Sequence, residues 1–470
     1  MKQFLMSWIC LIAITGVSGQ GTQITFTMRN VTPGEVYLGY HLAEQKFVQD
    51  TLVVDESGIL NLNNEEGYRS GLYFIYQPNT FYQEFIINEP SFALEGDGQD
   101  YANFKAIGSR ENEIFKEFQL ILGDLQRKRG VLVDSLNGLS GEDSIALQGE
   151  IVRLSEESEQ ARTDLYKQNP DLLISKMIRL MTMVSFETFD EIEDEQERKI
   201  KQYEAYRSAF RERLDFNEPG LLRTPVFKTN VMKYIKEVAP QIPDSLKVEL
   251  DRILATTEND PVSFRYWLVT MTNEYQNSSI MGMDAVLVHL LKTYFLSGKA
   301  DWSTEESLEK MREEVAFLEP NQIGNKAPAL KLVDTTFLAV DPINELTEDY
   351  LILYFYDPDC GHCKKKTPIL RDAYYDLKDL GAEVVAICGI TDVEKWKNYV
   401  KENELDWINL SDPYSQSRFR LEYDIRSFPR VYVLDKDRKI VAKRLDVEQL
   451  QDFITNHKAV VAQREAAGSQ

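Results

Sequence analysis

Between Ile24 and Gly98, apolar residues come in short runs separated by turn signals. The runs are Tyr37-Leu38-Gly39-Tyr40, Thr51-Leu52-Val53-Val54, Leu72-Tyr73-Phe74-Ile75-Tyr76 and Glu84-Phe85-Ile86-Ile87. Thr32-Pro33-Gly34, Asp55-Glu56-Ser57-Gly58 and Gln77-Pro78-Asn79 lie between them. Aromatic and β-branched runs broken this way read as the strands of a small β-sandwich. From about Tyr101 the period changes: Ile114, Phe115, Phe118, Leu120, Ile121 and Leu125 follow one helical face. Further helices are expected over 145–166, 172–184, 190–214, 231–238, 246–255, 262–276, 284–295 and 305–317. The acidic stretch Glu187 to Glu197 reads as a solvated helix face. Met177, Met181, Met183, Met281 and Met283 read as helix packing, since thioether metal sites need exposure and partners. Leu318-Glu319-Pro320-Asn321-Gln322 is the expected linker, after which strands and helices alternate as an α/β sheet requires. There, Leu351 to Tyr356 reads as a buried strand, Lys364 to Leu380 as a helix and Glu383 to Cys388 as an inner strand. Thr391-Asp392-Val393-Glu394 is a capping box for a helix to about Glu402. A hairpin turns at Lys436-Asp437-Arg438, and Asp446 caps a final helix to about His457. The expected architecture is multidomain: an all-β sandwich over 20–100, an all-α region over 101–320 and an α/β domain over 321–470.

The 470 residues leave room for several cores, and the net charge of -23 with pI ≈ 4.8 argues against nucleic-acid binding, because no basic face dominates. Met1 to Gly19 reads as an export signal: Lys2 supplies the positive end, Phe4 to Val17 is mostly apolar, and Val17-Ser18-Gly19 offers small residues for cleavage before Gln20. It is short for a spanning helix, and Cys10 follows Trp8-Ile9 rather than a lipoprotein signal. No later segment reads as a membrane span, so the mature protein is expected to be soluble and exported. Of four cysteines, Cys360, Cys363 and Cys388 remain after cleavage. One pair is too few for a disulfide scaffold of this size, so that pair stands out as chemistry. Cys388 reads as a small buried hydrophobe within its strand.

The pair lies in Tyr356-Asp357-Pro358-Asp359-Cys360-Gly361-His362-Cys363-Lys364, where Asp357-Pro358 breaks the strand. The spacing lets a disulfide close across the first turn of a helix. A zinc half-site and a structural disulfide are the other readings. Zinc usually takes a second Cys or His pair at comparable spacing, and the sequence has none. No metal and no cofactor are therefore expected. Pro368, five residues beyond Cys363, removes a backbone donor inside the helix and kinks it.

Strand, turn, Cys-x-x-Cys and kinking proline together resemble the active-site layout of thioredoxin-like disulfide oxidoreductases. The opening Ile323-Gly324-Asn325-Lys326-Ala327-Pro328, followed by Leu332-Val333-Asp334, resembles envelope reductases of the cytochrome-maturation, AhpC/TSA-like type. The resemblance is specific over about Ile323 to His457. It implies that Cys360 is the nucleophile, Cys363 the resolving thiol, and that the two cycle as a disulfide. A thiolate is the attacking species, and the unpaired N–H groups of a helix N-terminus favour it. The resemblance also places a cis-proline opposite the disulfide; Pro429 in Ser427-Phe428-Pro429-Arg430-Val431 matches, and Phe428 would line the substrate groove. Many members carry a buried carboxylate six residues before the first cysteine, or a Glu three after the second. Here those positions are Tyr354 and Lys366, which leaves Asp357, Glu383 or water for that role. The usual Trp before the first cysteine is Asp359. Gly361-His362 resembles the pair of protein disulfide isomerase; a cationic imidazole favours the thiolate and raises the potential. Asp359 is expected to oppose this, and Lys364, Lys365 and Lys366 to assist it.

The whole order of domains looks like envelope proteins of gut-type Gram-negative anaerobes. The implied function is a periplasmic thiol:disulfide oxidoreductase acting on protein disulfides, more often a reductase, re-reduced by a membrane electron donor. An isomerase or oxidase is the alternative that His362 favours, and a partner-binding envelope protein with a secondary redox site is the alternative from another class. A peroxidase is disfavoured, since no Pro-x-x-x-Thr-x-x-Cys surrounds either cysteine.

Overall fold

A computed structural model describes residues 21–98, 100–136 and 141–468. The expected export signal over 1–19 lies outside the described residues. The chain divides into two compact units, up to Trp267 and from Leu268 onward. The expected boundary at 320/321 thus does not separate compact units. The reason lies in the last helices of the supposed all-α region. Asp284, in one of those helices, grips Lys443, which is buried at the end of the α/β sheet and also bonds Asn321 just past the last of them.

The first unit begins with strands β1 (Thr22–Arg29), β2 (Gly34–Leu42), β3 (Gln45–Val54), β4 (Ile59–Asn64), β5 (Gly71–Gln77), β6 (Phe81–Ile87), β7 (Ser91–Asp97) and β8 (Asp100–Ile107). They form two four-stranded sheets, ordered β4-β1-β7-β8 and β3-β2-β5-β6. Strict alternation along β1 buries Ile24, Phe26 and Met28. Phe26 meets Phe85 of the other sheet edge-on at 5.0 Å. The strand region runs to Ile107 rather than 100, because Phe104 still points into the core. Helices follow: α1 (Arg110–Leu136), α2 (Glu142–Gln168), α3 (Leu173–Leu180), α4 (Glu195–Arg211), α5 (Phe227–Lys233) with a π turn to Val238, and α6 (Pro243–Thr257). α4 starts later than its acidic approach suggested, because Asp194 is the cap that accepts from the Glu197 amide. α7 (Pro261–Gln276) runs across the division.

The second unit contains α8 (Asp284–Leu290), extended by a π turn to Phe295, and α9 (Glu305–Leu318). Then come β9 (Leu332–Val333), β10 (Ala339–Val340), α10 (Pro342–Glu345), β11 (Tyr350–Tyr356), α11 (Gly361–Asp379), β12 (Ala382–Cys388), α12 (Val393–Glu402), β13 (Ile408–Ser411), α13 (Phe419–Glu422), β14 (Arg430–Leu434), β15 (Ile440–Lys443) and α14 (Leu450–Gly468). The seven strands order as β10-β9-β13-β12-β11-β14-β15. β11, β12 and β13 are parallel, with α11 and α12 as crossovers, while β14 and β15 close the sheet antiparallel. Every residue of β11 is buried, because both faces are covered. Ile352, Tyr354 and Tyr356 face one core layer, which contains Cys363 and Trp396. Leu351, Leu353 and Phe355 face the other, with Tyr423 and Tyr432. Among the described residues, no helix is long and apolar enough to cross a membrane.

Candidate active site

The site forms where β11 ends. Pro358 cannot continue the ladder, and Cys360, with φ -69 and ψ 122, becomes the N-cap of α11. Its amide donates to the Asp357 carbonyl at 3.1 Å, and its own carbonyl accepts from Lys364 at 3.1 Å. This places Cys360 half-buried at the helix mouth and Cys363 one turn in, fully buried. Both thiols are free. Gly361 and His362 are exposed between them, and Pro368 lies inside the helix.

From the other side comes the segment before β14. The Phe428–Pro429 bond is cis. The Cys360 thiol donates to the Phe428 carbonyl at 3.4 Å, so Cys360, Phe428 and Pro429 share one locus. The Phe428 ring lies against Gly389, just past β12: a Cβ there would come within 2.1 Å of its Cζ. Arg420 donates to the Gly389 carbonyl at 2.5 Å, with its guanidinium 5.5 Å from the Phe428 ring centre. Gly389 and Arg420 were not singled out from the sequence. Only the glycine directly after a strand end hinted at a close approach.

Burial pushes the Cys363 thiol up to about 12, against a smaller opposing effect of the Asp357 backbone amide. Burial likewise pushes Cys388 up to about 12. Beneath Cys363, the Thr367 hydroxyl joins two tyrosines, at 3.0 Å from the Tyr354 hydroxyl and 3.1 Å from that of Tyr399. Tyr354 thus occupies the expected carboxylate position as part of a hydroxyl chain, and burial raises its pKa. Glu383 does not supply the missing carboxylate. It pairs in register with Leu351, whereas the cysteines follow Tyr356, opposite Cys388. Five strand residues separate these ends by about 16 Å. Glu383 instead takes a 2.8 Å hydrogen bond from Tyr374. Asp357 turns its carboxylate to the Asp359 amide at 2.7 Å. The expected charge contest around the thiols is also reduced. Asp359 is paired with Lys395, and Lys366 with Glu448 and Asp446. No group of His, Cys, Asp and Glu able to hold a metal occurs among the described residues.

Comparison with known proteins matches residues 323–443 to the AhpC/TSA family. The thiol-disulfide oxidoreductase ResA of Bacillus cereus is 26% identical over 139 residues, 29% of this chain and 79% of that protein. A solved domain of a possible thiol-disulfide isomerase from Cytophaga hutchinsonii is 33% identical. That match covers 30% of this chain and 96% of the domain, with TM-score 0.29. A thioredoxin-like protein from Bacteroides caccae is 16% identical and covers 59% of this chain and 99% of its own, with TM-score 0.44.

Proposed function

We propose, from the premise that residues 323–443 are a thioredoxin-like oxidoreductase domain of the AhpC/TSA family, that the chain cycles Cys360 and Cys363 against protein disulfides. The observation that carries this reading is the asymmetry of two free thiols at one helix mouth. Cys360 is reachable and Cys363 is buried, with the carbonyl before Pro429 at 3.4 Å from the outer sulfur. In the reductive direction, the Cys360 thiolate attacks one sulfur of the client disulfide. That bond breaks, and the other client sulfur leaves as a thiolate. Cys363 then loses its proton and attacks the Cys360 sulfur of the mixed disulfide. The second client sulfur departs, the client has gained two electrons and Cys360–Cys363 is oxidised. The hydroxyls of Tyr354, Thr367 and Tyr399 are the polar groups beneath Cys363 where many relatives have a carboxylate.

Return to the dithiol needs an external donor, and the leader-like Met1 to Gly19 supports action outside the cytoplasm, in the periplasm, with a membrane electron donor supplying that step. The exposed Gly361-His362 pair between the cysteines, which resembles that of protein disulfide isomerase, favours a second reading, isomerisation or oxidation. Insulin reduction with dithiothreitol as reductant tests the redox reading. The wild type should turn over and Cys360→Ala should not; equal rates for the two overturn it. The potential against glutathione and the recovery of a scrambled disulfide substrate separate reductase from isomerase. Cys363→Ala should trap the client as a mixed disulfide on Cys360.

A further inference from the structure

The segment leading to Phe428 and Pro429 is held by helices that precede residues 323–443. α9 sets Glu314 against Arg426: Nη1 meets Oε2 at 2.6 Å and Nη2 meets Oε1 at 3.0 Å. The same guanidinium lies 5.0 Å from the Phe317 ring centre, and its Nε donates to Asp424. Asp424 is fully buried, and its other oxygen accepts from Arg444 at 2.6 Å. A second tie runs beside the first. Buried Asn321 donates to the carbonyls of Phe317 at 2.7 Å and Glu422 at 3.0 Å. Lys443 in turn donates to Asn321 and to Asp284 of α8. Residues 422–426 are thus fastened at both ends, and two residues further on the Phe428 carbonyl receives the Cys360 thiol.

We propose that Glu314 is a positioning residue for disulfide exchange: through Arg426 and Asp424 it fixes the 424–429 segment, and with it the groove edge beside Cys360. This rests on the redox reading above. A client chain that docks as an added strand pairs with backbone groups next to Pro429. If that backbone wanders, docking has to order it first, and the cost appears as weaker client binding. The fork-to-fork geometry suits this role, because two parallel charge-assisted bonds restrict direction as well as distance. The pair is partly exposed, so its effect on stability is small. A small aromatic disulfide has no chain to lay in the groove and meets only the Cys360 sulfur.

The test uses the full chain and compares insulin with 5,5′-dithiobis(2-nitrobenzoate). Thermal unfolding is followed in parallel. Glu314→Ala should raise the KM for insulin about fivefold, the upper range for one partly exposed ion pair, with kcat within twofold. The rate on the aromatic disulfide should not change, and Glu314→Gln, which keeps one acceptor, should recover part of the loss. An unchanged insulin KM in Glu314→Ala overturns the proposal. So does a parallel loss on both substrates that tracks the folded fraction. A wild type inactive on both substrates overturns the redox reading and this inference together, which distinguishes that failure from an active wild type with an indifferent Glu314.

Discussion

Cys363 is expected to react with alkylating reagents about a hundred times more slowly than an ordinary cysteine at pH 7, before any steric protection. Its thiol is pushed up to about 12, chiefly by burial. At pH 7 the thiolate fraction is then about 10⁻⁵, against about 3 in 100 for a thiol of ordinary pKa near 8.5, a deficit of about 3,000-fold. The more basic thiolate is the better nucleophile, and a Brønsted slope of about 0.4–0.5 over about 3.5 units returns roughly 25- to 60-fold. Removing Cys360 also removes its raising influence on Cys363, but desolvation is the larger cause and persists. The assay is iodoacetamide labelling of the chain carrying Cys360→Ala and Cys388→Ala, read peptide by peptide by mass spectrometry, with the urea-unfolded chain as reference. The sign follows from the raised value: labelling of the folded chain should climb about tenfold per pH unit from 7 to 10 without a plateau. A folded-state rate within threefold of the unfolded reference at pH 7, or a plateau by pH 9, would refute the argument that burial governs the inner thiol.

Three further outcomes follow from packing and burial. Gly389→Ala puts a Cβ within 2.1 Å of Phe428 Cζ, so the ring has to leave its seat; urea unfolding should show a loss of about 1–3 kcal/mol and insulin KM should rise, whereas wild-type values in both would deny Phe428 a part in the groove. Asp284→Ala strips Lys443 of its buried carboxylate partner and should cost about 3–5 kcal/mol at pH 7. Burial already holds the Lys443 ammonium below its usual range, so the folded variant binds fewer protons than the unfolded chain and its stability should rise from pH 7 to 9.5; a pH-independent deficit in paired urea titrations would contradict this. Thr367→Val leaves the Tyr354 and Tyr399 hydroxyls without their shared partner and should cost about 1–3 kcal/mol, measured by the same unfolding assay; a neutral result would show that the hydroxyl chain is not a structural unit.

Local patterns made much of this protein legible from its sequence. Helical periodicity gave α2, α6, α7, α8 with its π turn, and α9 to within a few residues, because an amphipathic face is written every three to four positions, and a capping box gave α12. The continuous apolar run of β11 announced a strand buried on both faces. The Cys360-Gly361-His362-Cys363 stretch carried its own chemistry, since the break at Pro358 and the start of α11 are local events. Tertiary structure alone decided what depends on residues far apart in the chain. Glu383 looked available to the thiols until the parallel register with β11 put it at the far end of the strand. Gly389 and Arg420 acquire a role only because the Phe428 ring packs between segments distant in sequence. Helices that read as part of a separate all-α region are tied to the α/β domain by Glu314–Arg426, at the segment before β14, and by Asp284–Lys443, at the end of β15. A charged side chain names no partner from its own position. Which opposite charge it meets, and whether water is excluded there, is settled by the packing of the whole chain.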